Sequence, residues 1–279
     1  MSEPYFIKNI FSKFLDISGE DSKEFLQGLI TNDINNCKEH MPIYACLLTP
    51  QGKFLADFFI IKLKNNFLIE IHEKYYETFV NKLTMYKLRS KINIQENVKI
   101  ESVIFFSKKI PFIEDYIITF QDPRSLNIGH KVYLNQDNNT IIRLEKFKEQ
   151  SYDKYKEILM KNLVIHSPDD LIENKSLLLE NNFQNINAIN WEKGCYVGQE
   201  ITARMKYRAL LRKQLYVLKI KSGEVNIGDK ILDNNIIIGE VMSKSKRYFL
   251  AMLKISLVEE NIKNNRKLGT NKSSVVILL

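Results

Sequence analysis

The segment KGCYVGQE, Lys193–Glu200, has the most restrictive pattern of residue types in this chain of 279 residues. It places Cys195 between Gly194 and Gly198, and glycine lets a backbone adopt tight conformations and lets a ligand or partner approach closely. The sequence GQEITARMKY, which starts at Gly198, predicts a short helix. Cys195 is therefore expected just before a helix N-terminus.

The residues around Cys195 favour a thiolate, because a helix N-terminus and nearby cations both stabilise a negative sulfur. The cations nearest to it in sequence are Lys193, Arg204, Lys206 and Arg208. Gln199 and Glu200 fall in the first turn of the predicted helix, where a carboxylate suits the helix dipole. From these residues alone, two interpretations are equally good: a reactive thiol, or a small buried side chain flanked by turn glycines.

Five segments of the chain, taken in order, resemble the YgfZ family. KGCYVGQE resembles the family signature, in which Lys, Gly, Cys, Gly, Gln and Glu hold fixed places. The other four are FLQGLITNDI (25–34), LLTPQGKFLADFFI (47–60), DPRSLNIG (122–129) and LLLENNF (177–183). The resemblance therefore covers nearly the whole chain.

The resemblance implies the fold class. The family is related in fold to the T-protein of the glycine cleavage system, an aminomethyltransferase that uses tetrahydrofolate. An α+β architecture is expected, with a folate-binding aminomethyltransferase-like domain over residues 1–208 and a C-terminal β-barrel domain over residues 209–279. The sequence pattern agrees, since short strand signals without helices follow from residue 213.

The resemblance also implies a function: a folate-binding accessory factor in the assembly or repair of iron–sulfur clusters in client proteins, with a link to tRNA modification. Its expected cofactor is tetrahydrofolate or a related folate, and its expected partners are iron–sulfur assembly proteins or client enzymes. The alternative is a folate-dependent one-carbon (aminomethyl) transferase. Only Ala56-Asp57 stands where the T-protein has paired aspartates, which weighs against transfer chemistry and against a free-standing enzyme.

Four further residues are candidate folate ligands. Glu180 follows Leu177–Leu179, which is predicted to be a buried strand, and a carboxylate at its end needs a partner. Its position favours an internal ion pair, whereas the resemblance implies that it holds the pterin ring. Asp57 interrupts the predicted strand FLADFFI, and the resemblance places it at the folate site. Asn32 and Asp33 form either a cap and turn after a helix or part of the folate cavity.

The charge balance permits a third interpretation, an RNA-binding module. The chain has 41 Lys and Arg against 33 Asp and Glu, a net charge of +8. One basic stretch is interleaved with Tyr196 and Tyr207; its cations are Lys193, Arg204, Lys206, Arg208, Arg212 and Lys213. Such a stretch binds phosphates, the glutamate tail of a folate, or an acidic protein, so nucleic-acid binding is predicted to be nonspecific at most.

The cysteines, the histidines and the distribution of apolar residues indicate the cellular location and the kinds of metal site to expect. The three cysteines, Cys37, Cys46 and Cys195, have no CxxC spacing, and the four histidines form no metal motif. No stretch approaches the roughly 20 apolar residues of a membrane span, and the N-terminus lacks a signal-peptide pattern. The predictions are a cytoplasmic, reducing location, no membrane association and no metal site.

Overall fold

The structure is a computed structural model that describes residues 3–107, 116–136, 144, 147–208, 210–264, 266–272 and 274–278. The described strands form two five-stranded sheets and one closed barrel. The strands are β1 (Tyr5–Lys8), β2 (Ser12–Ser18), β3 (Ile43–Leu48), β4 (Phe54–Lys62), β5 (Asn66–His72), β6 (Asn93–Glu96), β7 (Ile100–Phe106), β8 (Tyr116–Gln121), β9 (His130–Asn135), β10 (Lys148–Glu149), β11 (Lys213–Ser222), β12 (Lys230–Asp233), β13 (Ile236–Ser245), β14 (Tyr248–Lys254), β15 (Leu268–Thr270) and β16 (Val275–Leu278).

The helices cover the sheets and connect the strands. They are α1 (Ser22–Leu29), α2 (Glu73–Lys87), α3 (Tyr152–Lys161), α4 (Ser167–Asp170), α5 (Gln199–Tyr207) and α6 (Ile255–Lys263), with 3-10 helices at Ile34–Asn36, Leu179–Asn181 and Phe183–Asn185. No helix of the described residues combines the length and the apolar character needed to cross a membrane.

The first sheet has the order β3-β4-β5-β2-β6 and is antiparallel throughout. The turn at Pro50–Gly52 joins β3 and β4 into a hairpin. Every residue of β4 except Lys62 is buried, so both of its faces are covered. Phe58 packs on Phe79 of α2, with ring centroids 4.6 Å apart. Side chains alternate along a strand, so Asp57 and Phe59 lie on the opposite face.

The second sheet, in the order β10-β1-β7-β9-β8, packs against that opposite face. Phe59 of β4 meets Phe120 of β8, with ring centroids 6.3 Å apart. Phe14 of β2 meets Tyr133 of β9 at 5.0 Å. The two sheets therefore enclose one continuous apolar core, and polar side chains inside it must find partners there.

The C-terminal strands close into a barrel in the order β11-β14-β13-β12-β15-β16, as predicted. The barrel has its own core, which includes Leu218, Phe249 and Val276. It is tied to the rest of the molecule by Asn182, whose side-chain amide donates to the backbone oxygen of Leu215 at 2.7 Å.

Two local predictions are corrected. The C-terminal part is not free of helix, because α6 follows β14 and buries Val258 and Asn261 at a spacing of three residues. The run Leu177–Leu179 is not a strand, since Leu177 makes only an isolated bridge and a 3-10 helix follows it. Asn182 then adopts a left-handed φ of 62°, which an asparagine tolerates and an extended strand excludes.

Candidate functional site

The loop that carries Cys195 is held by a buried lysine. The Lys193 ammonium donates to the backbone oxygens of Gln27 and Ile30, both at 2.7 Å, and of Asn32 at 2.9 Å. These carbonyls lie at and just beyond the C-terminal end of α1, where helix carbonyls lack partners and attract cations. Burial lowers the pKa of Lys193 to about 8, against the attraction of nearby Asp33. Lys193 is thus a tether for the loop.

Two further motif residues fix the loop to the β3–β4 turn. Tyr196 is buried, and Gly198 has a φ of 82°, the left-handed region that favours glycine. A methyl group at Gly198 would lie 2.4 Å from the backbone oxygen of Thr49 and 3.2 Å from Gly52. The motif therefore packs tightly against the turn of the hairpin, and α5 starts from that contact as predicted.

Cys195 lies at the surface of this rigidly held loop. It is exposed, whereas Cys37 and Cys46 are buried, and burial raises the pKa of the Cys37 thiol to about 11. Gly194, beside it, has no heavy atom within 4 Å of the place where a side chain would start. The loop therefore presents one accessible thiol next to an open backbone. It lies three residues before Gly198, the N-cap of α5.

The first turn of α5 uses its charges internally. Glu200 pairs with Arg204 at 2.5 Å, one turn further along the helix. Gln199 is half-buried at the first helical position. These two motif residues therefore start and stabilise the helix that supports the loop.

A second constellation fills the space between the two sheets. Asp57 is buried and accepts hydrogen bonds from the hydroxyls of Tyr44 and Ser167, the latter at 2.5 Å. No lysine or arginine of the described residues lies within ion-pair distance of this carboxylate. A buried carboxylate held by two hydroxyls alone is well placed to accept hydrogen bonds from a ligand that carries N–H donors.

Two buried ion pairs line the same space. Lys131 of β9 pairs with Glu70 of β5 at 2.5 Å. Burial opposes ionisation of Glu70, but Lys131 outweighs it, so the pKa of the Glu70 carboxyl lies below its ordinary value. Arg124 forms a two-point pair with Asp122, at 3.0 Å through Nε and 2.8 Å through Nη2.

Aromatic rings complete the walls of the cavity. The guanidinium of Arg124 lies 5.0 Å from the ring centre of Tyr44 and 4.8 Å from that of Phe59. The space enclosed between these groups is about 60 Å³, and about 480 Å³ when its open mouth is counted. His72, His166 and Pro168 lie at the cavity as well. The side-chain oxygen of Asn9, another lining residue, is buried without a hydrogen-bond partner.

Glu180 lies apart from this cavity. Its carboxylate pairs with Lys213 at 3.5 Å and lines a separate groove, against the barrel, with Ile172 and Met252. The arrangement is the internal ion pair that its position alone favoured, with Lys213 as the partner. The structure therefore brings Asp57 into the cavity and leaves Glu180 outside it.

Asn32 and Asp33 hold the backbone near the Lys193 tether. The Asn32 amide donates to the backbone oxygens of Tyr44 and Asn187 at 2.9 and 2.8 Å. Asp33 caps the 3-10 helix Ile34–Asn36 by accepting from the amide of Asn35 at 2.9 Å. Both side chains have the cap-and-turn role that is one of the two interpretations given above.

Sequence reasoning missed most of the cavity wall. Glu70 sits within the apolar strand sequence NFLIEIH, which is the same signal that marked Asp57. Lys131 follows the DPRSLNIG segment by two residues. Tyr155 and His166 carry no comparable signal, because they reach the cavity only through the packing of α3 and the start of α4.

No group of three or more histidine, cysteine, aspartate or glutamate side chains is placed to hold a metal ion in the part of the chain that the structure describes. Cys195 alone cannot complete the four-ligand set of an iron–sulfur cluster. Any cluster bound there would take its remaining ligands from elsewhere.

Relatives of known sequence carry the name iron–sulfur cluster assembly factor IBA57. The Neurospora crassa homologue is 30% identical over 225 residues, which are 73% of this chain and 51% of the relative. The Pyricularia oryzae homologue is 31% identical over 215 residues, 73% of this chain and 54% of the relative. The mouse protein is 26% identical over 229 residues, 74% of this chain and 63% of the relative. The chain thus spans about half the length of the first two, and no protein-family model matches it.

Among solved structures, the aminomethyltransferase T of the glycine cleavage system from Bartonella henselae has the same fold. The TM-score is 0.78 at 11% identity, covering 100% of this chain and 85% of that protein. The expected aminomethyltransferase-like fold with a closed barrel is therefore confirmed. The prediction of a cytoplasmic location is wrong, because these relatives are named as mitochondrial proteins.

Proposed function

We propose that this chain serves iron–sulfur cluster assembly in mitochondria by offering Cys195 to a cluster shared with a partner protein. The chain is a homologue of the IBA57 iron–sulfur cluster assembly factors, relatives of the YgfZ family. The observation that carries the proposal is the exposed thiol of Cys195 on a loop that Lys193 and Gly198 hold in place. A thiolate is the ligand that iron–sulfur clusters prefer.

Rigid presentation suits a shared cluster. Because the tether, the buried Tyr196 and the glycine contact fix the loop before binding, little conformational freedom is lost when a partner docks. The open backbone at Gly194 leaves room for the partner to approach. In this proposal the cluster is cargo, and the partner supplies the remaining ligands.

The test is cluster transfer in a purified system. The full chain is mixed with a [2Fe–2S]-loaded carrier protein, and the cluster is followed by its visible absorbance and circular dichroism in a mixed complex. Wild type should form the complex, and Cys195→Ser should not. Cys37→Ser is the matched control, since that buried thiol donates only to the backbone oxygen of Ile60 and the serine preserves the bond. Formation of the complex by Cys195→Ser at wild-type yield would overturn the proposal.

Tetrahydrofolate is the second part of the proposal, with the cavity at Asp57 as its site. The uncompensated Asp57 carboxylate and the unpartnered oxygen of Asn9 both accept hydrogen bonds, and a pterin ring presents adjacent N–H donors. Phe59 and Tyr44 add apolar aromatic surface to the same cavity. The enclosed part is small, so the ligand would extend into the mouth. Tetrahydrofolate, when bound, supplies nitrogen atoms that carry one-carbon units.

Calorimetric titration with tetrahydrofolate tests this site. We expect wild type to bind, Asp57→Asn to lose most of the affinity, and Glu180→Gln to keep it, because Glu180 lies in the other groove. Loss of binding in Glu180→Gln with retention in Asp57→Asn would place the ligand at Glu180 instead. Any effect on tRNA modification would be indirect in this proposal, through client enzymes that carry clusters.

A further inference from the structure

An aromatic pair lies on the surface next to the Cys195 loop. Trp191, the only tryptophan of the chain, meets Tyr207 edge-on with ring centroids 6.3 Å apart. The Lys206 ammonium lies 3.8 Å from the centre of the Trp191 ring and 5.4 Å from that of Tyr207. Tyr207 is 67% exposed, whereas α5 packs on the body through Thr202 and Met205. Trp191 is half-buried and packs against the core, so Tyr207 is the member of the pair that the fold leaves exposed.

Three cations close to Tyr207 in sequence are left without an ion pair among the described residues. Lys206, Arg208 and Arg212 are exposed and make no ion pair with any residue that the structure describes. The other cations of the basic stretch have partners within the chain. Lys193 donates to backbone carbonyls, Arg204 pairs with Glu200, and Lys213 pairs with Glu180. The basic stretch seen in the sequence thus reduces to one local patch.

The patch adjoins the thiol. Trp191 and Cys195 are four residues apart on the same tethered loop, so the chain between them spans about 14 Å at most. A protein that reached Cys195 with a cluster would cover this surface too. Tryptophan, tyrosine and arginine are the side chains that most often anchor protein interfaces.

We infer that Trp191, Lys206, Tyr207, Arg208 and Arg212, here called the Trp191 patch, dock an acidic face of the cluster-carrying partner. The inference rests on the proposed function, because it names the surface of the partner that shares the cluster. Charge complementarity selects the partner: three uncompensated cations attract carboxylates and steer their encounter. RNA fits the patch less well, because Lys206 covers the ring face of Trp191 on which a base would stack.

The experiment measures docking without the cluster. The full chain is titrated calorimetrically with the apo form of a purified [2Fe–2S] carrier protein of net negative charge. The double variant Lys206→Glu/Arg208→Glu should weaken binding by about tenfold or more, and wild-type affinity should fall with added salt. Trp191→Ala should weaken it by a similar factor.

The matched control reverses the charge of two exposed cations elsewhere on the protein, with Arg89→Glu and Lys221→Glu. It should leave the affinity for the apo carrier within about twofold of wild type. Wild-type affinity in Lys206→Glu/Arg208→Glu would overturn the inference. So would displacement of the carrier by a single-stranded RNA oligonucleotide that binds wild type more tightly than the carrier does.

Cys195→Ser separates this inference from the proposed function. That variant should bind the apo carrier as wild type does, while forming no shared cluster. If Cys195→Ser formed the cluster, the role of the thiol would fail and the docking surface would stand. If the patch variants bound normally, the docking surface would fail and the role of the thiol would stand.

Discussion

At the scale of single residues, the two glycines that flank Cys195 have different physical reasons to be glycine. Gly198 needs a left-handed backbone and a close approach to Thr49, both of which belong to the fold. Gly194 needs neither, since its φ is not in the left-handed region and the space beside it is open. A glycine that the fold does not require is best explained by something that approaches it from outside.

We predict opposite outcomes for the two alanine variants. Gly198→Ala should lower the free energy of unfolding by about 2 kcal/mol or more, because of the backbone strain and the clash with Thr49. Gly194→Ala should change it by less than about 0.5 kcal/mol, and should nevertheless reduce the yield of the shared cluster. Urea unfolding and the cluster-transfer assay measure the two effects. Equal destabilisation by both substitutions would contradict this account.

At the scale of elements, the Glu70–Lys131 pair joins two sheets. Glu70 belongs to β5 of the first sheet and Lys131 to β9 of the second. Glu70 also accepts from Ser12 and Tyr133, both at 2.5 Å, so its lone pairs are satisfied on both sides. The pair therefore acts as a polar link across an apolar interface, where an unpaired member is costly.

We predict that Lys131→Met destabilises the protein by about 3–5 kcal/mol, since it leaves the Glu70 carboxylate buried without its counter-charge. The double variant Glu70→Gln/Lys131→Met should cost clearly less than the sum of the two single variants. Chemical denaturation of the four proteins in the cycle measures this coupling. Additive losses would mean that the two charges stabilise the fold independently.

At the scale of the whole molecule, the region around His166 connects the cavity to the barrel. His166 lines the cavity and meets the ring of His72, with centroids 6.0 Å apart. Its backbone amide donates to Asp170 at 2.8 Å, and Asp170 lines a groove against the barrel together with Ser243 of β13. Burial lowers the pKa of His166 to about 4 and raises that of Asp170 to about 6.

The shift of His166 predicts a contribution to stability that is lost in acid, whereas the shift of Asp170 acts in the opposite direction. The pKa of His166 is lower in the folded state than its ordinary value of 6.5, so the unfolded chain binds more protons between those values. Its contribution to stability is complete above pH 6.5 and is lost as the pH falls towards 4. The loss is on the order of 3 kcal/mol.

The comparison of wild type with His166→Gln isolates this contribution. The pKa shift of Asp170 has the opposite effect on stability, but Asp170 is present in both proteins, so its effect cancels in the difference. We expect the stability advantage of wild type over the variant to shrink as the pH falls from 7 to 4. The midpoint of urea unfolding across that range measures it. A difference that stayed constant with pH would show that His166 does not titrate differently in the two states.

The sequence by itself determined the elements and the motif. The β3–β4 hairpin, α5 and the C-terminal strands follow from local apolar periodicity and turn residues, which act over a few positions. The eight-residue segment around Cys195 and the acid inside β4 marked the exposed thiol and one buried carboxylate of the cavity.

Only the tertiary structure decided which of those residues share a site. Asp57 and Glu180 looked alike in sequence, as acids next to apolar runs, yet one faces the cavity and the other pairs with Lys213. Likewise, Lys193 looked like a free cation near the thiol and proved to be its tether. The physical reason is that the partners of a buried polar group come from distant parts of the chain, and local sequence carries no record of which ones packing will bring together.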